Sequence, residues 1–243
     1  MTAAAPPPVL LLTRPRPQAE GFADAARAAC PPHQTVIAPL SEIAPLPFDP
    51  AALTGAAGLV LTSANAVPML EGLPGLASLP AYCVGPGTAG AAQAAGLAAR
   101  ETGGDARRLI DWMRRHHPPG PLVHVHGRHL ARDLVAALSD LGLSITGLPV
   151  YEARLIDWPP DILPSLAGRP VVAPLFSPRA AAALGRQPGV GDMPGLVPVA
   201  ISAACAARLP PALRRRAMVA QAPDAAAMLQ ATGAALTQCG AGP

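Results

Sequence analysis

Short apolar runs alternate with alanine-rich stretches along the whole chain, and this alternation constrains the fold more than any other feature. Residues 9–12, 58–61, 81–84, 121–125, 171–175, 197–201 and 217–220 read as strands. Residues 18–30, 64–70, 88–95, 106–116, 130–141, 179–184, 203–209 and 225–236 read as helices. Strand followed by helix, repeated throughout, predicts an α/β protein with parallel sheets covered by helices on both faces. In such folds ligands lie beyond the carboxyl ends of the strands, beside helix N-termini.

The pattern also repeats. LVLTSANAV, YCVGPGTAGAA and ETGGDARRL follow one another in the middle of the chain, and APLFSPRAA, PVAISAACAARL and QAPDAAAML do so near its end. Each series reads strand–serine–helix, strand–small residue–helix, loop–aspartate–helix, so Ser63, Gly85 and Asp105 correspond to Ser177, Ser202 and Asp224. The middle series continues into VHVHGRHLARDLVAALSDLG, a strand, Arg128 and a helix. The terminal series lacks that fourth unit, but VLLLTRPRPQAEGFADAARAA at the start supplies one, with Arg14 after its strand. Two similar doubly wound parallel-sheet domains follow, one inserted into the other. The expected ranges are 1–34 plus 156–243 for the discontinuous domain and 47–147 for the inserted one. Residues 35–46 and 148–155 read as extended and are expected to pair as a two-stranded connector. A cleft between the domains is the expected binding site.

Composition narrows the function. With 51% hydrophobic and 14% charged residues the chain is globular rather than disordered. Aromatics make up 3%, so the core is aliphatic and little surface remains for stacking bases. A net charge of +3 without a basic stripe argues against nucleic acid as a partner. The short run Arg214-Arg215-Arg216 reads as a solvated turn before a strand. Cys30, Cys83, Cys205 and Cys239 lie far apart without C-x-x-C spacing, as buried thiols of a reducing compartment do. The apolar run near the start is too short for a signal peptide, and no apolar stretch is long enough to span a membrane. A soluble, cytoplasmic protein is expected.

These pieces together resemble the uroporphyrinogen-III synthase family. The resemblance rests on LLLTRP with its helix, IAPLSEIAPL, LVLTSANAV, YCVGPGTAGAAQAAGL, the helix opening at Gly104-Asp105, LVHVHGR with its helix, LPVYEA, APLFSPRAAAAL, PVAISAACAARL and APDAAAML. Each motif is degenerate, and their order and spacing over almost the whole chain make the match specific. The family implies two similar α/β domains joined by a two-stranded ladder, one of them discontinuous. It implies hydroxymethylbilane, a linear tetrapyrrole octacarboxylate, as substrate, and no cofactor and no metal. The product is the ring with its last pyrrole inverted through a spirocyclic pyrrolenine. A monomer is expected, with a transient contact to hydroxymethylbilane synthase suggested by the instability of the substrate.

Eight carboxylates need many donors, and helix N-termini and loop amides supply them without a large net charge. Ser63, Ser177 and Ser202 stand where a strand ends and a helix begins; each reads as an N-cap, as a carboxylate contact, or as both. Their neighbours Ala64, Asn65 and Pro178 join the candidate set, as do Gly85, Gly87 and Thr88 of the tight turn after the third run. That turn lacks the third glycine of a dinucleotide fingerprint. Thr13, Arg14, Gly127, Arg128 and Arg179 also follow strands, and a guanidinium there grips a carboxylate in bidentate fashion. Asp105 and Asp224 read as caps only, because a carboxylate would repel the substrate.

Tyr151, in LPVYEA, is the candidate catalytic residue. The family's matching tyrosine is a proposed proton donor to the leaving hydroxyl, a step that suits a phenol; the competing reading is a core aromatic at a domain boundary. Strand alternation points Glu152 the other way. His124 and His126 alternate on one strand with His129 nearby, but no third ligand stands at a metal-binding spacing. Ile201-Ser202-Ala203 departs from the Gly-Pro-Thr-like turn that many family members carry, and Ala64-Asn65 from their Pro-Arg or similar; the departures touch individual substrate contacts and not the reaction. The alternative to catalysis is a two-lobed protein that binds an anion and does no chemistry.

Overall fold

The computed structural model describes residues 6–77, 79–130 and 132–240. The outer limits of the expected discontinuous domain, and residue 131 of the expected helix 130–141, lie outside the described residues. The chain divides into two compact units, one made of the chain up to Glu42 and from Arg154 onward, the other of Ile43–Ala153.

In chain order, β1 (Val9–Leu12), α1 (Arg16–Ala29), β2 (Gln34–Ile37), β3 (Ser41–Pro45), β4 (Gly58–Leu61) and β5 (Pro80–Cys83) come first. Then follow α2 (Pro86–Ala94), β6 (Ala98–Glu101), α3 (Ala106–His116), β7 (Leu122–Gly127), α4 (Leu134–Ser139) and β8 (Ile145–Leu155). The chain ends with α5 (Ile162–Leu166), β9 (Val171–Leu175), α6 (Pro178–Arg186), β10 (Leu196–Ala200), α7 (Ala203–Ala206), α8 (Pro211–Arg214), β11 (Met218–Val219) and α9 (Ala225–Gly240).

The first sheet has the order β11-β10-β9-β1-β2, and its strand pairs are parallel. The second has the order β3-β8-β7-β4-β5-β6, parallel from β8 to β6. Helices cover both faces of each, so inner strands are apolar at every position. In β1, Val9 and Leu11 enter one cluster with α6 and α7, while Leu10 and Leu12 enter another with α1 and α9. Each of these four side chains is at most 1% exposed, and each contributes about 1.5–3 kcal/mol by leaving water. β4 is shared in the same way, with Leu59 and Leu61 on one side and Val60 on the other. Alanine on the inner faces of α1 and α9, such as Ala19, Ala26 and Ala235, lets backbone approach sheet closely without aromatic filler. Among the described residues no helix is long and apolar enough to cross a membrane.

The structure departs from the sequence reading in several places. The expected connector 35–46 does not act as one piece. Gln34–Ile37 pairs in parallel with β1, from Val9↔Gln34 to Leu12↔Ile37, because β-branched Thr35, Val36 and Ile37 after α1 complete a β–α–β unit. Only β3 flanks β8, where Leu46 N donates to Val150 O at 2.9 Å. β8 starts at Ile145, three residues earlier than the expected connector, already in register with β7. Residues 64–70 form a 3₁₀ segment rather than an α-helix; Pro68 has no N–H to close an α-helical turn. The helix expected over 130–141 starts at Leu134, since the Asp133 carboxylate accepts Ala136 N at 3.0 Å and sets the N-cap. β6, α5 and α8 were not anticipated; β6 reads Ala-Ala-Arg-Glu, a poor strand signal that pairing with β5 overrides.

Candidate functional site

Each sheet has one point where its strand order reverses. In the first, β1 leads outward to β2 and β9 leads the other way to β10 and β11; in the second, β7 leads to β8 and β4 leads to β5 and β6. Read from β11 and from β6, the first five strands follow the same order, which is the internal repeat in three dimensions; β3 is an addition to the second sheet. A crevice beyond the carboxyl ends of the strands opens at such a reversal. The candidate residues collect at these two edges.

At the first edge, Thr13 and Arg14 follow β1, and Phe176 and Ser177 follow β9. The Arg14 guanidinium carbon lies 4.0 Å from the centroid of the Phe176 ring. Phe176 meets Phe22 edge-on at 5.1 Å. Burial lowers the Arg14 pKa from its ordinary value, though an arginine remains charged. Thr13 is 2% exposed and its Oγ1 has no hydrogen-bond partner among the described residues. Ser177 Oγ accepts Ala180 N at 3.0 Å, Pro178 occupies the first turn of α6, and Arg179 is exposed beside it. Ser202, after β10, accepts Cys205 N at 3.2 Å, and the Cys205 thiol reaches Ser177 O at 3.2 Å. The capping reading of both serines therefore holds, and Cys205 ties the two strand ends together.

At the second edge, Ser63 follows β4 and its Oγ accepts Asn65 N at 3.2 Å, with Ala64 between them. Gly85 precedes α2 as its N-cap, Gly87 lies in the first turn, and Thr88 is turned inward at 7% exposure. Asp105 caps α3 through Arg108 N at 2.8 Å, and Asp224 accepts Ala227 N at 2.9 Å ahead of α9, as caps do. Between His126 and Gly127 the β7–β8 register shifts, so that His126 faces Pro149 while Gly127 faces Tyr151. Val150 is the extra residue of this bulge. A bulge re-aims the side chains beyond it, and Tyr151 packs against the cluster that also holds Leu148 and Val150. Simple alternation across 150–152 fails here. Arg128 N donates to Tyr151 O at 2.8 Å, and Arg128 Nε lies 3.4 Å from Glu152 Oε2. Arg128, read as a carboxylate ligand, thus carries a carboxylate of its own chain.

His124 and His126 project to the opposite face of β7, ring centroids 4.6 Å apart. His124 Nε2 is 3.4 Å from Thr62 Oγ1, and His126 Nδ1 is 2.8 Å from Gly127 O. Burial, then the neighbouring His126, lowers the His124 pKa to about 4, against an opposing pull from Asp133. Among the described residues no three His, Cys, Asp or Glu side chains gather to hold a metal ion.

A cavity of about 540 Å³ lies at the amino ends of β9 and β10, with Leu166, Met193 and Cys239 in its apolar lining. None of the candidate residues borders it. Phe176 is the residue that sequence reasoning missed. Its only signal was an aromatic directly before the strand-end serine in a chain nearly free of aromatics.

Two sheets that share five strands of one order, all parallel, each ending its central strands in a serine cap and an arginine, define a two-unit α/β protein. The uroporphyrinogen-III synthase HemD family model matches residues 25–230. The chain belongs to that family, whose members are enzymes of tetrapyrrole synthesis. Among solved structures, a uroporphyrinogen-III synthetase from Helicobacter pylori is 17% identical with a TM-score of 0.59, over 92% of this chain and 97% of that one. A mutant uroporphyrinogen III synthase from the extremely thermophilic bacterium Thermus thermophilus is 18% identical with a TM-score of 0.50, over 95% and 99%. At these identities the likeness speaks for the fold. A comparison with curated proteins gave no match.

Proposed function

We propose that this protein closes hydroxymethylbilane to uroporphyrinogen III as a cyclising hydro-lyase, with Tyr151 as the proton donor. The observation that carries the reading is the equivalent placement of Arg14 and Arg128, each after the strand at the reversal point of its sheet. An octacarboxylate needs such donors at several places along its length. Ser63, Ser177 and Ser202 supply hydroxyls and first-turn amides for further carboxylates, and Thr13 offers a buried hydroxyl without a partner. Ala64, Asn65, Gly85, Gly87, Thr88, Pro178 and Arg179 complete the proposed binding set.

The substrate moves its own electrons. Protonation of the terminal hydroxyl by the Tyr151 phenol releases water, and the pyrrole nitrogen stabilises the resulting azafulvene cation. The far pyrrole attacks through its substituted carbon, giving the spirocyclic pyrrolenine. One bond of that centre breaks, the inverted pyrrole recloses, and loss of a proton restores aromaticity. The protein's share is to hold the chain so that the crowded carbon is the one that attacks. No step calls for a metal or cofactor. We further infer a monomeric enzyme of the cytoplasm, in keeping with four free thiols, that meets hydroxymethylbilane synthase transiently to receive an unstable substrate.

The deciding experiment generates hydroxymethylbilane in place from porphobilinogen and its deaminase, adds this protein, and resolves the oxidised products by isomer. A dominant type III product is expected. Type I product alone, from a folded sample, overturns the reading.

A further inference from the structure

We infer that Gly127 is a positioning residue for the Tyr151 phenol, a seat on which the ring rests, rather than a substrate contact. A methyl built on Gly127 would lie 2.7 Å from both Cε2 and Cζ of Tyr151 and 3.1 Å from its hydroxyl oxygen. Carbon atoms in contact normally stay near 3.5–4.0 Å, so a side chain at position 127 and the ring in its present place exclude each other.

Backbone conformation is not what requires glycine here. Among the described residues nine glycines have positive φ, and Gly127 is not one of them. An alanine adopts this backbone freely, and the three nearest atoms its methyl would meet all belong to Tyr151. Nor can the backbone at Gly127 retreat easily. His126 Nδ1 holds the Gly127 carbonyl at 2.8 Å, and His126 is 8% exposed. The next residue is tied to β8 by Arg128 N to Tyr151 O at 2.8 Å and by the Arg128–Glu152 ion pair. The Tyr151 ring, half-buried at the end of a flexible side chain, is the part that yields. The bulge at Val150 brings Tyr151 opposite Gly127, so bulge, glycine and phenol form one arrangement, with the hydroxyl height set by a missing Cβ.

The inference rests on Tyr151 as the proton donor, and its test separates the two. Tyrosine labelled at Cζ with ¹³C gives two signals, from Tyr82 and Tyr151. In Gly127→Ala the Tyr151 signal is expected to move while Tyr82, distant in the core, keeps its position and reports an intact fold. An unmoved Tyr151 signal overturns the inference whether or not the protein makes type III product. In the coupled assay, a displacement of about 1 Å is expected to lower kcat by roughly a hundredfold, with KM changed much less. In a Tyr151→Phe background the same Gly127→Ala change is expected to cost less than about twofold, because no hydroxyl remains to be misplaced. An equal loss in both backgrounds assigns Gly127 to the fold or to substrate and overturns the inference. Full activity of Tyr151→Phe alone removes the proton-donor role instead, and the seat is then judged by the ¹³C signals.

Discussion

The Arg14 guanidinium carbon lies over the Phe176 ring, 4.0 Å from its centroid, and Phe176 is itself met edge-on by Phe22. A guanidinium attracted to a ring face is held in position by that contact while its N–H groups can still donate to a carboxylate. Arg14→Ala is expected to raise KM. A charge-assisted hydrogen bond is worth about 1.5–3 kcal/mol, or roughly tenfold to a hundredfold in affinity. Phe176→Leu leaves the charge but loses the ring contact, worth about 1 kcal/mol and roughly fivefold. Steady-state kinetics of the coupled assay read both; an Arg14→Ala enzyme with unchanged KM removes Arg14 from the binding set.

Tyr151→Phe keeps the ring on Gly127 and deletes the hydroxyl. Loss of a general acid costs roughly 10²–10⁴ in rate, and the loss is expected in kcat. Because cyclisation also proceeds unaided, the product mixture is the sharper readout: type I rises as the inverted closure slows. A rate and isomer ratio like the parent's would show that solvent or another group delivers the proton.

The alternation of strand and helix was legible because inner strands of parallel sheets are apolar throughout, as β1 and β4 are. The repeat was legible because the same residue types cap the same helices in both sheets. What stayed hidden depends on pairing between distant segments. The sequence of β2 does not say that it joins β1 rather than β8, and Ala98–Glu101 becomes a strand only because β5 lies beside it. At the site, Ser177, Ser202, Asp105 and Asp224 cap as residue type and position suggested. The Arg128–Glu152 pair and the seating of Tyr151 on Gly127 follow from a one-residue bulge, and no local pattern marks where a bulge falls.

Asp133 starts α4, four residues later than the sequence suggested, by accepting Ala136 N at 3.0 Å. Asp133→Ala is expected to lower stability by about 1 kcal/mol, the usual worth of an N-cap. It also removes the one charge that favours protonation of His124. Urea unfolding at neutral pH measures the cap alone, since His124 is then neutral in either variant. A midpoint equal to the parent's would mean that the first turn of α4 finds another partner.

His124 gives the protein an acid limit. It is fully buried, its Nδ1 has no hydrogen-bond partner among the described residues, and burial lowers its folded pKa to about 4 from an ordinary 6.5. The native state therefore resists a proton that the unfolded chain accepts readily. Above pH 6.5 both states are neutral at this residue and stability does not change on its account. As pH falls from about 6.5 to about 4 the unfolded state gains the proton first, so stability drops, by about 3 kcal/mol over the window. Below about pH 4 both states are protonated and this contribution levels off. His124→Asn removes the titration while keeping a polar partner for Thr62. Groups that do not interact with His124 cancel between the two proteins, so the difference reports His124 together with its coupling to His126 and Asp133. Urea midpoints at pH 7.5, 6.0 and 5.0 are expected to converge as pH falls, with the parent more stable at neutral pH and losing more on acidification. Parallel losses in parent and variant would place the acid sensitivity elsewhere.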